Sequence, residues 1–283
     1  MAHPVQIRAE LLELTPVGAY HRVVLRAPGV AERVRPGHFA ALAVGGPDSA
    51  MLLRRAFTIH RADPAAETVS LIVAAGGRGT RELLRHRPGD LLDLIAPLGT
   101  AFPLPAGPLT ALLVAEGYSS APLFALADRI KEAGGSVGFI LGAATADRLY
   151  GVEQAQALTP DVLVTTDDGS SGIKGQVTLP LAEALKAIGA EAAYSCGPTG
   201  LLAAVTGIAE AEGVRSFCAV EEAMACGVGI CMACVLPVVG EDGISRFVRS
   251  CVEGPCFDGG RVRWSDIGTV PADLHGAAAM GAL

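Results

Sequence analysis

From Val5 to Ile95 the chain sets apolar residues in short β-forming runs, broken every few residues by turn chemistry. The runs are Val5 to Leu14, Tyr20 to Arg26, His38 to Val44, Arg54 to Arg61, Thr68 to Ala74 and Leu91 to Ile95. Between them stand Ala27-Pro28-Gly29, Arg35-Pro36-Gly37 and Arg87-Pro88-Gly89, in which proline presets φ and glycine accepts a positive one. Closely spaced strands with this punctuation predict a small antiparallel barrel over 1–102, interrupted by one short helix from Thr80 to Arg85. Pro103-Leu-Pro-Ala-Gly-Pro108 then predicts a linker, because three prolines so close together continue neither a helix nor a central strand.

The period changes after the linker. Thr110 to Ala115, Ser136 to Leu141, Val162 to Thr166 and Ala192 to Cys196 are short apolar runs, separated by helical patterns at Ala121 to Ala133, Val177 to Ile188 and Thr199 to Ala211. Strands alternating with helices predict a doubly wound parallel sheet over 109–214, the form taken by nucleotide-binding domains. From 215 to 270 the chain turns rich in cysteine and glycine, with strand-like Val235 to Val239, Ser245 to Ser250 and Arg261 to Trp264. So short a segment has little core of its own, and a metal centre is a natural staple for it. The tail, 271–283, reads as disordered or dependent on a partner.

A chain of 283 residues suits two to three such units. Its formal charge of −7 is the opposite of what a phosphate-backbone binder needs, so nucleic acid is excluded as an expected partner. The apolar share is 51%, yet charged residues, proline or glycine interrupt every run before the roughly 18 residues of a spanning helix. The first residues lack the basic and apolar regions of a secretory signal, which leaves a cytoplasmic protein, not a membrane one, as the expectation. Seven cysteines in a reducing compartment point to metal ligation rather than disulfides, the more so because five of them lie between positions 226 and 256.

Met224-Ala-Cys226-Gly-Val-Gly-Ile-Cys231-Met-Ala-Cys234 is a Cys-x4-Cys-x2-Cys run, and Cys251 stands further on. This is the plant-type spacing for a 2Fe-2S cluster. Thiolates are soft donors for iron, and Gly227 and Gly229 let the backbone fold tightly enough to turn amide N–H groups toward sulfur. Zinc also accepts four cysteines, but its sites usually pair two Cys-x2-Cys knuckles. Cys256 is either a fifth thiol near the cluster or, more simply, a small packing residue.

Read with Ser250-Cys251-Val-Glu-Gly-Pro, this loop resembles the electron-transfer subunits of the two-subunit, NAD-linked dihydroorotate dehydrogenases. The resemblance runs through Leu53-Arg54-Arg55-Ala56-Phe57-Thr58-Ile59, Gly79-Thr80-Arg81-Glu82-Leu83, Ala96-Pro97-Leu98-Gly99, Cys196-Gly197-Pro198 and Val220-Glu221-Glu222-Ala223-Met224. It implies a ferredoxin-reductase-like fold with FAD in the barrel, a nucleotide domain and a C-terminal 2Fe-2S module. It also implies a catalytic, FMN-containing dehydrogenase subunit as partner, in a heterotetramer, with this chain relaying electrons through the cluster and FAD in pyrimidine biosynthesis. Within the resemblance, Arg55 forks onto the FAD pyrophosphate, Phe57 offers a flat wall and the Thr58 hydroxyl approaches flavin N5, while Ala56 replaces the proline common there. Ile72, Val73 and Ala74 match the strand lying against the flavin, and Gly79 and Thr80 open a helix whose N–H groups and hydroxyl suit phosphate oxygens. Cys196 matches a position close to the nicotinamide.

One departure stands out. The family carries a glycine-rich turn after the first strand of the nucleotide domain, where this chain has Ala115-Glu116-Gly117-Tyr118-Ser119-Ser120. A carboxylate there opposes a pyrophosphate, which predicts weak NAD(H) binding or another electron exchanger at the FAD. Thr166-Asp167-Asp168-Gly169-Ser170 reads equally as a cleft edge and as an ordinary turn. Two other functions share the legible features: a flavin and iron-sulfur reductase of another system, of ferredoxin-NADP reductase or sulfide dehydrogenase type, and a zinc-stapled binding protein without redox activity.

Overall fold

Six strands close into a barrel in the computed structural model, which describes residues 3–46, 49–104 and 106–280. They are β1 (Val5–Val17), β2 (Tyr20–Arg26), β3 (Phe39–Leu42), β4 (Arg55–Asp63), β5 (Thr68–Val73) and β6 (Leu91–Leu98), antiparallel in the order β1-β2-β5-β4-β3-β6, with β6 returning to β1. Inward residues such as Leu11, Leu25, Leu42, Leu71 and Leu94 are wholly buried and fill the interior. Closure leaves no free strand edge. Helix α1 (Arg78–Leu83) follows β5 and buries Leu83 in the same core.

The second layer is a seven-stranded sheet. Its elements are β7 (Thr110–Glu116), α2 (Ala121–Glu132), β8 (Ser136–Ala143), α3 (Val152–Leu158), β9 (Val162–Thr166), β10 (Ile173–Lys174), α4 (Leu181–Ile188), β11 (Ala192–Cys196), α5 (Thr199–Ala211), β12 (Arg215–Ala219), β13 (Val235–Val239), β14 (Ser245–Arg249) and β15 (Cys256–Asp258), of which β13 and β14 form a separate hairpin. The sheet order is β10-β9-β8-β7-β11-β12-β15, parallel except for β15. Leu113, Phe139 and Tyr194 pack on one face with Phe124 of α2, while Leu112, Val114 and Ile140 pack on the other with Val205 of α5. Burial on both faces is why these strands read as continuous apolar runs.

Side chains on β2, β4 and α2 tie the two layers together. Arg61 on β4 pairs with Asp128 on α2, His60 packs edge-on to Phe124, and Tyr20 donates to the Arg148 carbonyl at 2.7 Å. On the opposite side Thr100, just past β6, donates through its hydroxyl to the Val252 carbonyl at 3.0 Å. Residues after Cys251 are thus pinned to the barrel.

Several elements differ from the sequence pattern. Helix α3 goes unanticipated because it is short and buries only Ala155. Helix α4 starts at Leu181 rather than Val177, directly after Pro180. Strand β12 falls after 214 yet pairs with β11, and β15 extends the same sheet. Over 261–264 the expected strand is reduced to a single antiparallel bridge of Val262 to Val238, with the Arg263 N–H donating to the Pro237 carbonyl at 3.0 Å, flanked by 3-10 turns at Gly259–Arg261 and Trp264–Asp266; Asp258 caps Gly260 at 3.2 Å and the Trp264 indole donates to the Gly259 carbonyl at 3.0 Å. The described part of the tail, expected to be disordered or dependent on a partner, docks on this chain: Leu274 and Ala277 are buried, Arg263 holds Asp273, and the His275 N–H reaches the Ser245 carbonyl at 2.8 Å. Pro105 of the linker and residues 281–283 of the tail lie outside the described residues.

Candidate functional site

The barrel, the sheet and the cysteine segment meet at a cleft of about 230 Å³. Strand β4 contributes Ala56, Phe57 and Thr58, β5 and its end Ile72, Val73 and Ala74, and α1 Thr80. Seven of the nine residues expected to hold flavin therefore line one wall. The other two stand just behind it. Arg55, at the start of β4, donates to the Leu53 carbonyl at 2.7 Å and crosses Gly79 so closely that a Cβ there would overlap its guanidinium. Glycine is required at this position by the arginine. The Thr80 hydroxyl closes the turn, donating to the Gly77 carbonyl at 3.1 Å and accepting the Gly77 N–H at 3.0 Å, so its one O–H is taken within the turn. What the turn offers instead is the unpaired N–H groups of a helix's first residues, beside a cation. An apolar wall with an arginine and free N–H groups at one end fits a flavin dinucleotide.

The four candidate iron ligands gather on the far side of β3. Cys234 and Cys251 are buried against Phe39, Ala41 and Leu98 of the barrel, whereas Cys226 is half-buried and Cys231 exposed. Cys231 is the near neighbour of Cys226, and Cys234 that of Cys251. Among the described residues no three His, Cys, Asp or Glu side chains gather about one point. Four thiols on a glycine-spaced Cys-x4-Cys-x2-Cys loop suit an iron-sulfur cluster better than the paired Cys-x2-Cys knuckles of zinc. The loop backbone supports the same conclusion. Gly227, Gly229 and Met232 adopt positive φ (70°, 83° and 58°), and the N–H groups of Val228 and Ile230 both point at Cys226 Sγ from 3.4 Å. Burial raises the Cys226 thiol, but the N–H groups of Cys231, Val228 and Ile230 outweigh it and bring it down to about 6. Burial and the adjacent Cys234 push Cys251 up to about 12, so metal binding at this pair releases protons. Cys256 belongs to neither pair. It is buried between β12 and the barrel, with Sγ 3.8 Å from the Gly37 carbonyl, and burial keeps its thiol protonated.

The opposite wall comes from the nucleotide domain: Tyr118, Ser119, Pro122 and Cys196. Gly117 turns with φ +53° against the Tyr20 hydroxyl. Ser119 donates to Glu221 at 2.7 Å, and Ser120 donates to the Gly117 carbonyl at 2.9 Å, so neither hydroxyl is free to offset the acid beside them. Burial and then Asp167 hold the Glu116 carboxyl above the usual glutamate range. Asp168 closes a local turn, accepting from the Ser170 N–H at 2.9 Å and its hydroxyl at 2.6 Å.

Comparison with known proteins places these features together. Residues 221–263 match the family model described as the iron-sulfur cluster binding domain of dihydroorotate dehydrogenase B. The dihydroorotate dehydrogenase B (NAD(+)) electron transfer subunit of Shouchella clausii (strain KSM-K16) is 38% identical over 246 residues, which span 86% of this chain and 92% of that protein. Its counterpart in Enterococcus faecalis (strain ATCC 700802 / V583) is 35% identical over the same shares. This chain belongs to the dihydroorotate dehydrogenase B electron transfer subunits. Among solved structures, an NADH-dependent reduced ferredoxin-NADP oxidoreductase superposes with a TM-score of 0.79 at 28% identity, over 92% of this chain and 91% of that one. The ferredoxin reductase of carbazole 1,9a-dioxygenase shares the fold, with a TM-score of 0.62 at 20% identity over 75% of this chain and 67% of its own.

As an electron transfer subunit the chain is a component of an oxidoreductase of pyrimidine biosynthesis, carries FAD and a 2Fe-2S cluster, and works with a catalytic partner subunit. No helix among its described residues is long and apolar enough to cross a membrane. Sequence reading of the electron transfer subunit missed Phe39, which lines the cleft and belongs to the same buried cluster as Cys234 and Cys251. It also missed the Ser119 to Glu221 bond that joins the nucleotide domain to the cysteine segment. Both depend on residues far apart in the chain, and only the family resemblance through Glu221-Glu222 hinted at the second.

Proposed function

We propose that this subunit takes electrons from the flavin of an FMN-containing catalytic subunit through a cluster ligated by Cys226, Cys231, Cys234 and Cys251. It delivers them, by way of FAD held in the cleft, to a nicotinamide. The observation that carries this reading is the shared cleft: flavin-side residues Phe57 and Thr58, nucleotide-side Ser119 and Cys196, and Met224 at the entry to the cysteine loop all line it. Bound FAD supplies the exchange between two-electron hydride chemistry and one-electron cluster chemistry. Arg55 and the N–H groups of Gly79 and Thr80 would hold the pyrophosphate of such a cofactor, Phe57 and the strand Ile72 to Ala74 would offer its ring an apolar wall, and the Thr58 hydroxyl would supply a hydrogen bond to the flavin. Pro122 and Cys196 close the other side against water; the buried thiol of Cys196 stays protonated. The relatives carry NAD(+) in their names, which favours nicotinamide as the acceptor, held loosely here because of Glu116.

By analogy with a two-subunit enzyme, the assembly is a heterotetramer with two copies of each subunit. Unpaired thiols throughout the chain fit the cytoplasm. The test is anaerobic reconstitution with the catalytic subunit. Dihydroorotate should reduce the FAD of this chain only in the presence of both the partner and the intact cysteine loop, and light scattering should give the two-by-two mass. Dihydroorotate-dependent reduction that persists after iron is removed would refute the relay.

A further inference from the structure

Arg249 ends β14 two residues before Cys251, and its side chain folds back over the cysteine loop. Nη1 donates to the Gly229 carbonyl at 2.9 Å. That carbonyl belongs to the same peptide unit as the Ile230 N–H, which points at Cys226 Sγ from 3.4 Å. The result is a chain of contacts running from guanidinium to carbonyl, through one amide, to sulfur. Glu253 fixes the direction of the fork: Oε1 accepts from Nη2 at 2.8 Å and Oε2 accepts the Arg249 backbone N–H at 2.9 Å. Gly229 itself has φ +83°, and a β carbon there would overlap Val252, so the turn that presents this carbonyl to the arginine needs glycine.

A cation bonded to a carbonyl polarises the amide and strengthens its N–H as a donor. Iron-sulfur potentials follow net charge, hydrogen bonds to sulfur and solvent exposure, and groups behind the ligands tune them. Reduction adds one negative charge to the cluster. A nearby cation and a stronger N–H to S bond both favour that added electron, while the carboxylate of Glu253 opposes it. An ordinary i,i+4 surface pair would do neither, because exposed pairs are screened and worth little.

We propose that Arg249 is a positioning residue that raises the reduction potential of the cluster through the Gly229–Ile230 peptide, with Glu253 as the opposing charge that aims it. The proposal rests on Cys226 being an iron ligand. That assignment fails separately, as full iron content with an unchanged visible spectrum in Cys226→Ser.

The experiment is a redox titration followed by EPR on the full chain loaded with FAD and cluster, comparing the unmodified protein with Arg249→Met, Arg249→Lys and Glu253→Gln. Arg249→Met should move the reduction equilibrium about tenfold or more toward the oxidised form, equivalent to about 59 mV downward for one electron. Glu253→Gln should move it the other way. Arg249→Lys should fall between Arg249→Met and the unmodified protein, since it keeps the charge but loses the fork. A Met variant within about twofold of the unmodified protein at full iron content overturns the proposal, as does a Glu253→Gln shift in the same direction as Arg249→Met. If Arg249→Met does not load iron, the Lys and Gln variants decide: a downward Lys shift with an upward Gln shift supports the role, and any other pair of signs rejects it.

Discussion

Arg55 and Gly79 show how much of a site can rest on one missing methyl group. The Arg55 side chain passes over Gly79 so closely that a β carbon there would overlap it. Gly79→Ala should therefore displace the Arg55 side chain while leaving the barrel folded, because alanine is itself the best helix former. Hydrogen bonds to a charged partner contribute about 1.5–3 kcal/mol, so FAD affinity should fall roughly 10- to 150-fold by fluorescence titration. Arg55→Ala should lose a similar amount, and the double variant little more than either alone. Full additivity would mean that the two residues act separately. At this scale the sequence was informative about identity and poor about contact. Arg55, Thr58 and the four cysteines are legible as residue types at suggestive spacings, whereas the engagement of the Thr80 hydroxyl with Gly77 follows from turn geometry that no spacing specifies.

The turn between β7 and α2 is the element on which the nicotinamide reaction depends. Its N–H groups lie at the carboxyl edge of a parallel sheet, where dinucleotides bind, and Glu116 stands at its head. A carboxylate about 4 Å from a phosphate charge costs on the order of 1 to 4 kcal/mol, or roughly one to three decades in affinity. Burial and Asp167 raise the Glu116 carboxyl above its ordinary range, so it remains protonated to a higher pH than a free glutamate. For a raised acid the favourable neutral form is complete below the unfolded value and is lost as pH rises through the folded one. The KM for NADH should therefore fall as pH is lowered through that range, whereas Glu116→Gln should give a flat and lower KM by stopped-flow reduction of the FAD. A pH-independent KM in the unmodified protein would remove Glu116 from the account. Short elements were the least legible in sequence. Helix α3 is too brief to show a period, and the strand expected at 261–264 shrinks to one bridge between Val262 and Val238, flanked by 3-10 turns in which Asp258 and Trp264 bond locally to the backbone.

At the scale of the molecule, FAD and iron sit on different parts of the chain that share one wall. Arg55 and Gly79 belong to the barrel, while the cysteines are held by a hairpin and by contacts to the barrel's outer face. Cys226→Ser, Cys231→Ser, Cys234→Ser and Cys251→Ser should each lose or alter the cluster's visible spectrum while retaining most of the FAD. Cys256→Ser should keep its iron and lose about 1–3 kcal/mol of stability, as a hydroxyl replaces a buried thiol with no strong partner. Loss of iron in Cys256→Ser with iron retained in Cys251→Ser would reverse the assignment. The sequence by itself determined the barrel, the alternating sheet and the cysteine spacing, because strand period, turn residues and ligand intervals are local properties written within a few residues. Only the tertiary structure decided that Cys234 and Cys251 are buried against the barrel while Cys231 is exposed, that β12 and β15 extend the nucleotide sheet, that the described part of the tail docks, and that Phe39 borders both the cleft and the buried cysteines. Those outcomes depend on which apolar faces meet across distant parts of the chain, and burial, which drives them, has no direction along a sequence.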